Sequence, residues 1–149
     1  MKTIRRITTG VDAHSQESLV VEELLPVPIT GPSRHCIWAA DSPPVVPNDG
    51  TAPPFAGPVV PMPGGVNLLQ LTLPPLFRRG PDAMHSTPTV DCVLQLEGES
   101  VLVRPDREVT LSPGDWLVCN GLLHDWRNDN EIASTLLAVI YGALTTQEE

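Results

Sequence analysis

The stretch SPGDWLVCNGLLHDWRN, residues 112–128, decides the fold of this chain. It contains two short apolar runs separated by turn residues, which is the pattern of consecutive β-strands. The Asn-Gly pair at 120–121 predicts a tight hairpin, because both residues tolerate positive φ. In the second run His124, Trp126 and Asn128 occupy alternate positions, so an extended strand would place their side chains on one face.

Three polar residues upstream, His85, Thr87 and Asp91, show the same alternation. They would share a face if the strand that carries them runs unbroken. The predicted hairpin would return His124 toward Asp91, so that both faces line one interior. Polar side chains that converge on a cavity form a site for a ligand, a metal ion or a proton transfer.

Turn residues divide the rest of the chain into short strand-like runs as well. Its 17 prolines and 11 glycines favour strands and turns over helices, because proline removes a backbone donor and blocks helix interiors. Many short strands are typical of a sandwich or a barrel, so we predict an all-β fold. The predicted strands are 18–25, 35–40, 66–73, 89–96, 100–104, 108–111, 116–120, 123–128 and 134–141.

We predict one structural domain built from two parts. Residues 1–65 supply N-terminal strands and a proline-rich loop that pack on a barrel formed by residues 66–149. The start of the chain is expected to be irregular, with the basic run Lys2 to Arg6 as a solvated terminus. The proline-rich segment 43–64 is expected to lack a hydrogen-bond ladder, and a disordered loop, a strap over the barrel or a lid would each suit its composition.

The two polar segments resemble the two sequence motifs of the cupin superfamily, which consists of small jelly-roll β-barrels. The first motif is matched by Gly80, His85, Thr87, Asp91 and Gly98. The second motif is matched by Pro113, Gly114, Asp115, His124 and Asn128. The match covers residues 66–142, and the upstream sequence Trp38-Ala-Ala-Asp41 is similar to that of a group of small single-domain cupins. The resemblance implies a single jelly-roll barrel with an N-terminal extension.

The resemblance also implies a ligand set for a divalent metal ion. His85, Asp91 and His124 take the positions of three cupin ligands, whereas Thr87 replaces a second histidine and Asp91 replaces a longer glutamate. Two histidines and a carboxylate suffice for iron or zinc with open positions, and manganese is a further candidate. Without a metal, His124 and His85 would act as general base and acid while Asp91 sets a tautomer and Thr87 donates to the substrate. No organic cofactor is expected.

Three functions follow from this interior site. The first is a lyase or isomerase, dehydratase-like, that acts on a small oxygenated carbonyl compound. The alternatives are a mononuclear metal-dependent dioxygenase and a non-catalytic barrel that binds a small ligand. Trp126, Asn128 and Trp38 are the predicted substrate contacts, since an indole offers a flat wall and a donor.

Composition limits the partners. A net charge of −9 argues against nucleic acid, which is bound through clustered Lys and Arg. No stretch has the apolar length of a signal peptide core or of a membrane span, so we predict a soluble cytoplasmic protein with no membrane partner. Three cysteines without paired spacing agree with that compartment. The cupin resemblance implies a homodimer.

Overall fold

The computed structural model describes residues 3–12, 14–26, 32–50 and 58–145. Within them the regular structure is β-strand except for one 3-10 turn at Pro81–Ala83. The strands, numbered in chain order, are β1 Thr3–Val11, β2 Ser18–Pro26, β3 Ser33–Ala40, β4 Val66–Leu73, β5 Thr89–Glu97, β6 Ser100–Val103, β7 Glu108–Leu111, β8 Trp116–Asn120, β9 Asp125–Arg127 and β10 Ser134–Gly142. The predicted all-β class is confirmed.

Two antiparallel sheets form the body of the protein. The larger sheet has the strand order β3-β4-β10-β5-β8, and the smaller has the order β7-β6-β9. Trp126 on β9 packs against the apolar core of the larger sheet, so the two sheets face each other. This is the jelly-roll arrangement that the sequence predicted.

The core lies on the inner face of the larger sheet. Strand β10 runs through its middle, and its even-numbered residues Leu136 and Ala138 are 1% and 2% exposed. Leu69 of β4 and Val93 of β5 stand opposite Ala138 on either side, which joins three strands into one apolar layer. Each buried side chain of this size contributes on the order of 2 kcal/mol to stability.

Strand β1 was not predicted. It pairs with β2 over its whole length, and the predicted second strand therefore belongs to a separate two-stranded sheet. Of the basic run, Lys2 lies outside the described residues, whereas Arg5 and Arg6 belong to β1 and bind Glu22 and Glu23 across the hairpin. Arg6 also donates to the carbonyl of Ile37 at 2.8 Å. Cross-strand charge pairs and this anchor explain why a polar sequence is extended here.

The prediction of a hairpin at 120–121 is wrong. Strand β8 pairs with β5 in the larger sheet, whereas β9 pairs with β6 in the smaller one. Gly121 has a φ of +64°, but Asn120 does not share this left-handed conformation, which both central residues of a type I′ hairpin turn require. The turn therefore carries the chain from one sheet to the other.

The described parts of the proline-rich segment, 43–50 and 58–64, contain no strand, as predicted. They are tied to the strands by several hydrogen bonds, including two from the side-chain amide of Asn67 on β4 to the carbonyls of Pro58 and Val59. The amide of Val11 donates to the carbonyl of Asn48 at 2.8 Å, and the amide of Gly64 donates to the carbonyl of Gly142 at 2.9 Å. Strand β3, which follows the N-terminal hairpin, is hydrogen-bonded into the larger sheet beside β4. Among the described residues, no helix has the length and apolar character needed to cross a membrane.

Candidate functional site

The two histidines of the predicted site lie side by side. The amide of His85 donates to the carbonyl of His124 at 2.9 Å, and the amide of His124 donates back at 3.0 Å. Residues that exchange both bonds in this way stand directly opposite each other and send their side chains to the same face. Their imidazole rings are accordingly 4.7 Å apart between centroids. His124 is buried and His85 is partly buried, so His85 is the more accessible of the two.

Backbone carbonyls fix the tautomer of both rings. Nδ1 of His124 lies 2.8 Å from the carbonyl oxygen of Leu122, and Nδ1 of His85 lies 3.2 Å from that of Ala83. Because a carbonyl oxygen only accepts, each Nδ1 carries the proton and each neutral ring keeps a lone pair on Nε2. The expectation that Asp91 sets the tautomer is wrong, since these two carbonyls do so. Both imidazoles are thereby prepared to accept a proton at Nε2.

The surroundings of His85 favour its neutral form. Burial lowers the pKa of His85 below its usual value of 6.5. The nearby charges of His124 and Arg79 lower the pKa further, while the Ala83 carbonyl and Asp125 oppose the shift. His85 is therefore a free base at neutral pH.

Asp91 lies on the inner face of β5, opposite Ile140 of β10 and Cys119 of β8. One carboxylate oxygen, Oδ1, is buried and has no hydrogen-bond partner among the described residues. Burial raises the pKa of Asp91 above its usual value of 3.8, and the nearby His124 and His85 only partly offset this. A buried carboxyl group of this kind is disposed to bind a proton.

Two threonine hydroxyls lead to this carboxylate. Thr87 Oγ1 lies 2.7 Å from Thr89 Oγ1, and either hydroxyl can be the donor of this bond. The hydroxyl of Thr89 lowers the pKa of Asp91 and so partly offsets the effect of burial. Donation from Thr87 to a substrate stays a prediction. Thr89 was not predicted as a site residue, although it shares the odd-numbered alternation of Asp91.

The predicted metal ligands do not assemble into a three-ligand centre. Across residues 3–12, 14–26, 32–50 and 58–145, no group of three or more His, Cys, Asp or Glu side chains is arranged to hold an ion. The donor set itself contains two Nε2 lone pairs and one unpartnered carboxylate oxygen. Metal binding by His85, Asp91 and His124 stays a prediction.

The three predicted substrate contacts have different positions. Trp126 faces the interior, with its ring edge-on to that of His124 at 6.3 Å between centroids. Asn128 is fully buried and its side-chain amide is committed to backbone groups of the surrounding loops. Trp38 stands opposite Leu68 on the outer face of the larger sheet, away from the histidines. The register shift beside Trp38 in β3 could not be read from the sequence.

One charged pair next to the histidines was missed. Asp125, adjacent to His124, is buried and binds the guanidinium of Arg79. Both charges act on His85. The run of basic residues after the prolines at 74–75 is the signal in the sequence, but its partner across 46 residues could not be inferred from spacing.

Replacing Asp91 by asparagine should stabilise the protein at neutral pH. The raised pKa of Asp91 means that the folded state binds its proton more tightly than the unfolded state does. Protonation of Asp91 therefore contributes to the stability of the folded state. This contribution is complete below the usual pKa of 3.8 and is lost as the pH rises through the folded pKa. We expect D91N to increase the free energy of unfolding at pH 7 by about 1 kcal/mol, with the gain shrinking below about pH 4.

Urea unfolding of D91N and the parent protein at pH 4 and pH 7 measures this difference. The exposed Asp82 provides a matched control, and D82N should change stability little at either pH. A gain that is equal at both pH values, or a loss at pH 7, would contradict the electrostatic cause.

The fold and the site together define an all-β jelly-roll protein with a histidine pair beside a buried carboxylate. No protein-family model and no curated protein matches the chain.

Several solved structures are similar to this chain. A cupin-superfamily sugar phosphate isomerase from Silicibacter pomeroyi is 23% identical over 51% of this chain and 50% of its own, with a TM-score of 0.44. The polyketide cyclase RemF from Streptomyces resistomycificus is 20% identical over 55% and 63% of the two chains, with a TM-score of 0.43. A Cupin 2 conserved barrel domain protein from Salinispora arenicola is 19% identical over 60% and 72%, with a TM-score of 0.45. This chain thus spans half the length of the isomerase. Two of the three are described as cupins, the superfamily that the sequence motifs resemble.

Proposed function

We propose that this protein is a small-molecule enzyme of the cupin type, a lyase or isomerase that moves a proton next to a carbonyl group. The observation that carries the proposal is the pair of imidazoles whose Nδ1 atoms are held by backbone carbonyls, which leaves both Nε2 atoms as acceptors. A free base beside a carboxyl group of raised pKa is the arrangement that general acid–base chemistry needs.

His85 is the proposed base. Its Nε2 takes a proton from the carbon beside a substrate carbonyl, the C–H bond breaks, and its electron pair forms an enolate. Protonated His85 then returns the proton to a β-hydroxyl, which leaves as water, or to another carbon, which gives an isomer. The first outcome is a dehydration and the second an isomerisation. In both, His85 returns the proton that it removed and ends in its starting neutral form.

Asp91 is proposed to stabilise the negative charge that develops on the carbonyl oxygen. A neutral carboxyl group donates a hydrogen bond to an enolate, and burial favours the neutral form of Asp91. The Leu122 carbonyl fixes the orientation of the His124 ring next to His85. Trp126 lies edge-on to the ring of His124 and adds an apolar wall at that edge.

Proton exchange in D2O tests this function. Hydroxyketones, hydroxyaldehydes and hydroxyacids are incubated with the protein and followed by proton NMR. We expect deuterium to enter beside the carbonyl of at least one class, together with water loss or isomerisation, and the rate to stay within about twofold after dialysis against EDTA. H14Q alters an exposed histidine of the β1–β2 hairpin and should leave the rate unchanged.

Other results of this test would contradict the proposal in different ways. Oxygen uptake that needs added iron would support the dioxygenase alternative. Broadening of the NMR signals of a compound, without deuterium exchange, would support the non-catalytic binding alternative. A rate that is lost on chelation and restored by zinc or manganese would replace the metal-free mechanism by a metal-assisted one.

A further inference from the structure

A cavity of about 340 Å³ opens between the two sheets, with Trp126 in its wall. Its apolar walls are formed by side chains of both sheets and of the loop after β4, namely Leu71, Leu73, Phe77, Trp126 and Leu136. Small-molecule sites are typically concave, mostly apolar and about 300–1,000 Å³ in volume. The cavity thus has the size and lining of a site for a small ligand.

The polar lining of this cavity is cationic. Arg34 and Arg79 both border it, and none of its lining residues is Asp or Glu. Arg79 is neutralised by Asp125, whereas Arg34 forms no ion pair with any described residue. One positive charge is therefore left over in a chain whose net charge is −9.

The position of Arg34 is set by the register of the larger sheet. Arg34 stands opposite Leu71 of β4, whose side chain packs against the core. The side chain of Arg34 therefore leaves β3 on the inner face of the sheet. An inward charge on an edge strand can also serve only to prevent sheet extension. That role would require no apolar pocket beside the guanidinium and predicts no affinity for an anion.

We propose that this cavity binds a small organic anion with an apolar body, such as an arylalkenoic or medium-chain carboxylate. The carboxylate pairs with Arg34 at the rim, and the apolar body lies between Leu71, Phe77 and Trp126. A guanidinium next to a hydrophobic wall binds carboxylate through charge-assisted hydrogen bonds while the wall buries the hydrocarbon.

The cavity adjoins the histidine pair through two shared residues. Trp126 forms part of its wall and lies edge-on to His124. Arg79 also lines it, and its charge reaches His85. Binding of the anion needs no reaction, but its identity as the substrate of His85 rests on the proposed function.

Titration with trans-cinnamate tests the site, with cinnamyl alcohol as an uncharged probe of the same skeleton. The indole N–H signal of Trp126, assigned by its loss in W126F, reports occupancy in the full chain by heteronuclear NMR. We expect cinnamate to shift this signal in a saturable way and to bind at least about tenfold more tightly than the alcohol.

Three arginine variants test whether the charge of Arg34 is needed for binding. R34M should weaken cinnamate about tenfold and leave the alcohol unchanged, and R34K should recover part of the loss because it keeps the charge. R107M is the matched control, since Arg107 is exposed and lies outside this cavity, and it should bind cinnamate normally.

Equal affinity for acid and alcohol, or equal weakening by R34M and R107M, would overturn the anion site. The same conclusion follows if neither probe moves the Trp126 signal. Because the readout is binding, a failure of the exchange reaction leaves this inference standing, and a failure of binding leaves the exchange chemistry to be judged by itself.

Discussion

H85A is expected to lower kcat/KM of the proton-exchange reaction by about 10²–10⁴-fold, the usual contribution of one general base. The reason is that the Nε2 lone pair of His85 is the proposed proton acceptor, and its Nδ1 is already engaged by the Ala83 carbonyl. The bridge to His124 uses only backbone atoms of His85, so the alanine variant retains it. The measurement is the rate of deuterium incorporation under single-substrate conditions, compared with H14A as the exposed control.

The pH profile of the parent enzyme separates a base from a merely structural histidine. His85 must be neutral to accept a proton, and burial shifts its pKa below 6.5. Activity should therefore hold down to a pH below 6.5 and fall only as the solution becomes more acidic. H85A should lose this acidic limb along with the rate. A variant that keeps more than half of the parent rate, or the same limb, would show that His85 is not the base.

The strands of the fold could be predicted because their signals are local. Runs such as 66–73, 108–111 and 116–120 are largely apolar or alternate in part, and Gly or Pro lies within two residues of their ends, so their bounds match β4, β7 and β8. The turn at Gly98 has a φ of +65°, and an added Cβ would lie 2.7 Å from the Ala133 carbonyl oxygen, which explains why glycine marks the end of β5.

Strand partners could not be predicted in the same way. The turn at 120–121 has the sequence of a hairpin, yet the next strand joins the opposite sheet because Trp126 completes the interior opposite the core. Nearest-neighbour pairing is the usual outcome, but in a jelly roll consecutive strands often change sheets. Strand β1 was missed for a related reason: its stabilising contacts, with Glu22 and Glu23, lie on another strand.

For the candidate site, alternation predicted which residue types line the interior but not their hydrogen bonds. Asp91 lies on the inner face of β5, and His85 and His124 are opposite each other. The backbone partners of the two rings depend on the turns before them, at Ala83 and Leu122, and no side-chain pattern specifies these. The link from Thr87 through Thr89 to Asp91 is likewise visible only in three dimensions.

Asn128 belongs to the second sequence motif but has a structural role, whereas the motif predicted a substrate contact. Its Nδ2 donates to the carbonyls of Pro74 and Ile132 at 2.9 and 2.8 Å, and its Oδ1 accepts from the amide of Asn130 at 3.0 Å. The side chain is fully buried, and both protons of its Nδ2 are used by backbone carbonyls, so it has no donor left for a substrate. In addition, its backbone amide binds the carbonyl of Phe77, which holds the loop that forms one wall of the cavity.

N128A should therefore lower the free energy of unfolding by about 3 kcal/mol, because two carbonyls and one amide lose their partner and the fully buried side chain is truncated. This corresponds to a decrease in Tm of roughly 10 °C, measured by thermal and urea denaturation. N120A is the matched control, since Asn120 is exposed, and it should change stability by less than about 0.5 kcal/mol.

The same variant decides between the two roles of Asn128. Well below its Tm, N128A should bind cinnamate more weakly only to the extent that the Phe77 loop loosens, and the N128D variant should be destabilised in the same way because a carboxylate cannot donate to the two carbonyls. A substrate contact would behave differently: stability would stay within about 0.5 kcal/mol of the parent while KM rose. That result would return Asn128 to the substrate-binding role which its place in the motif first predicted.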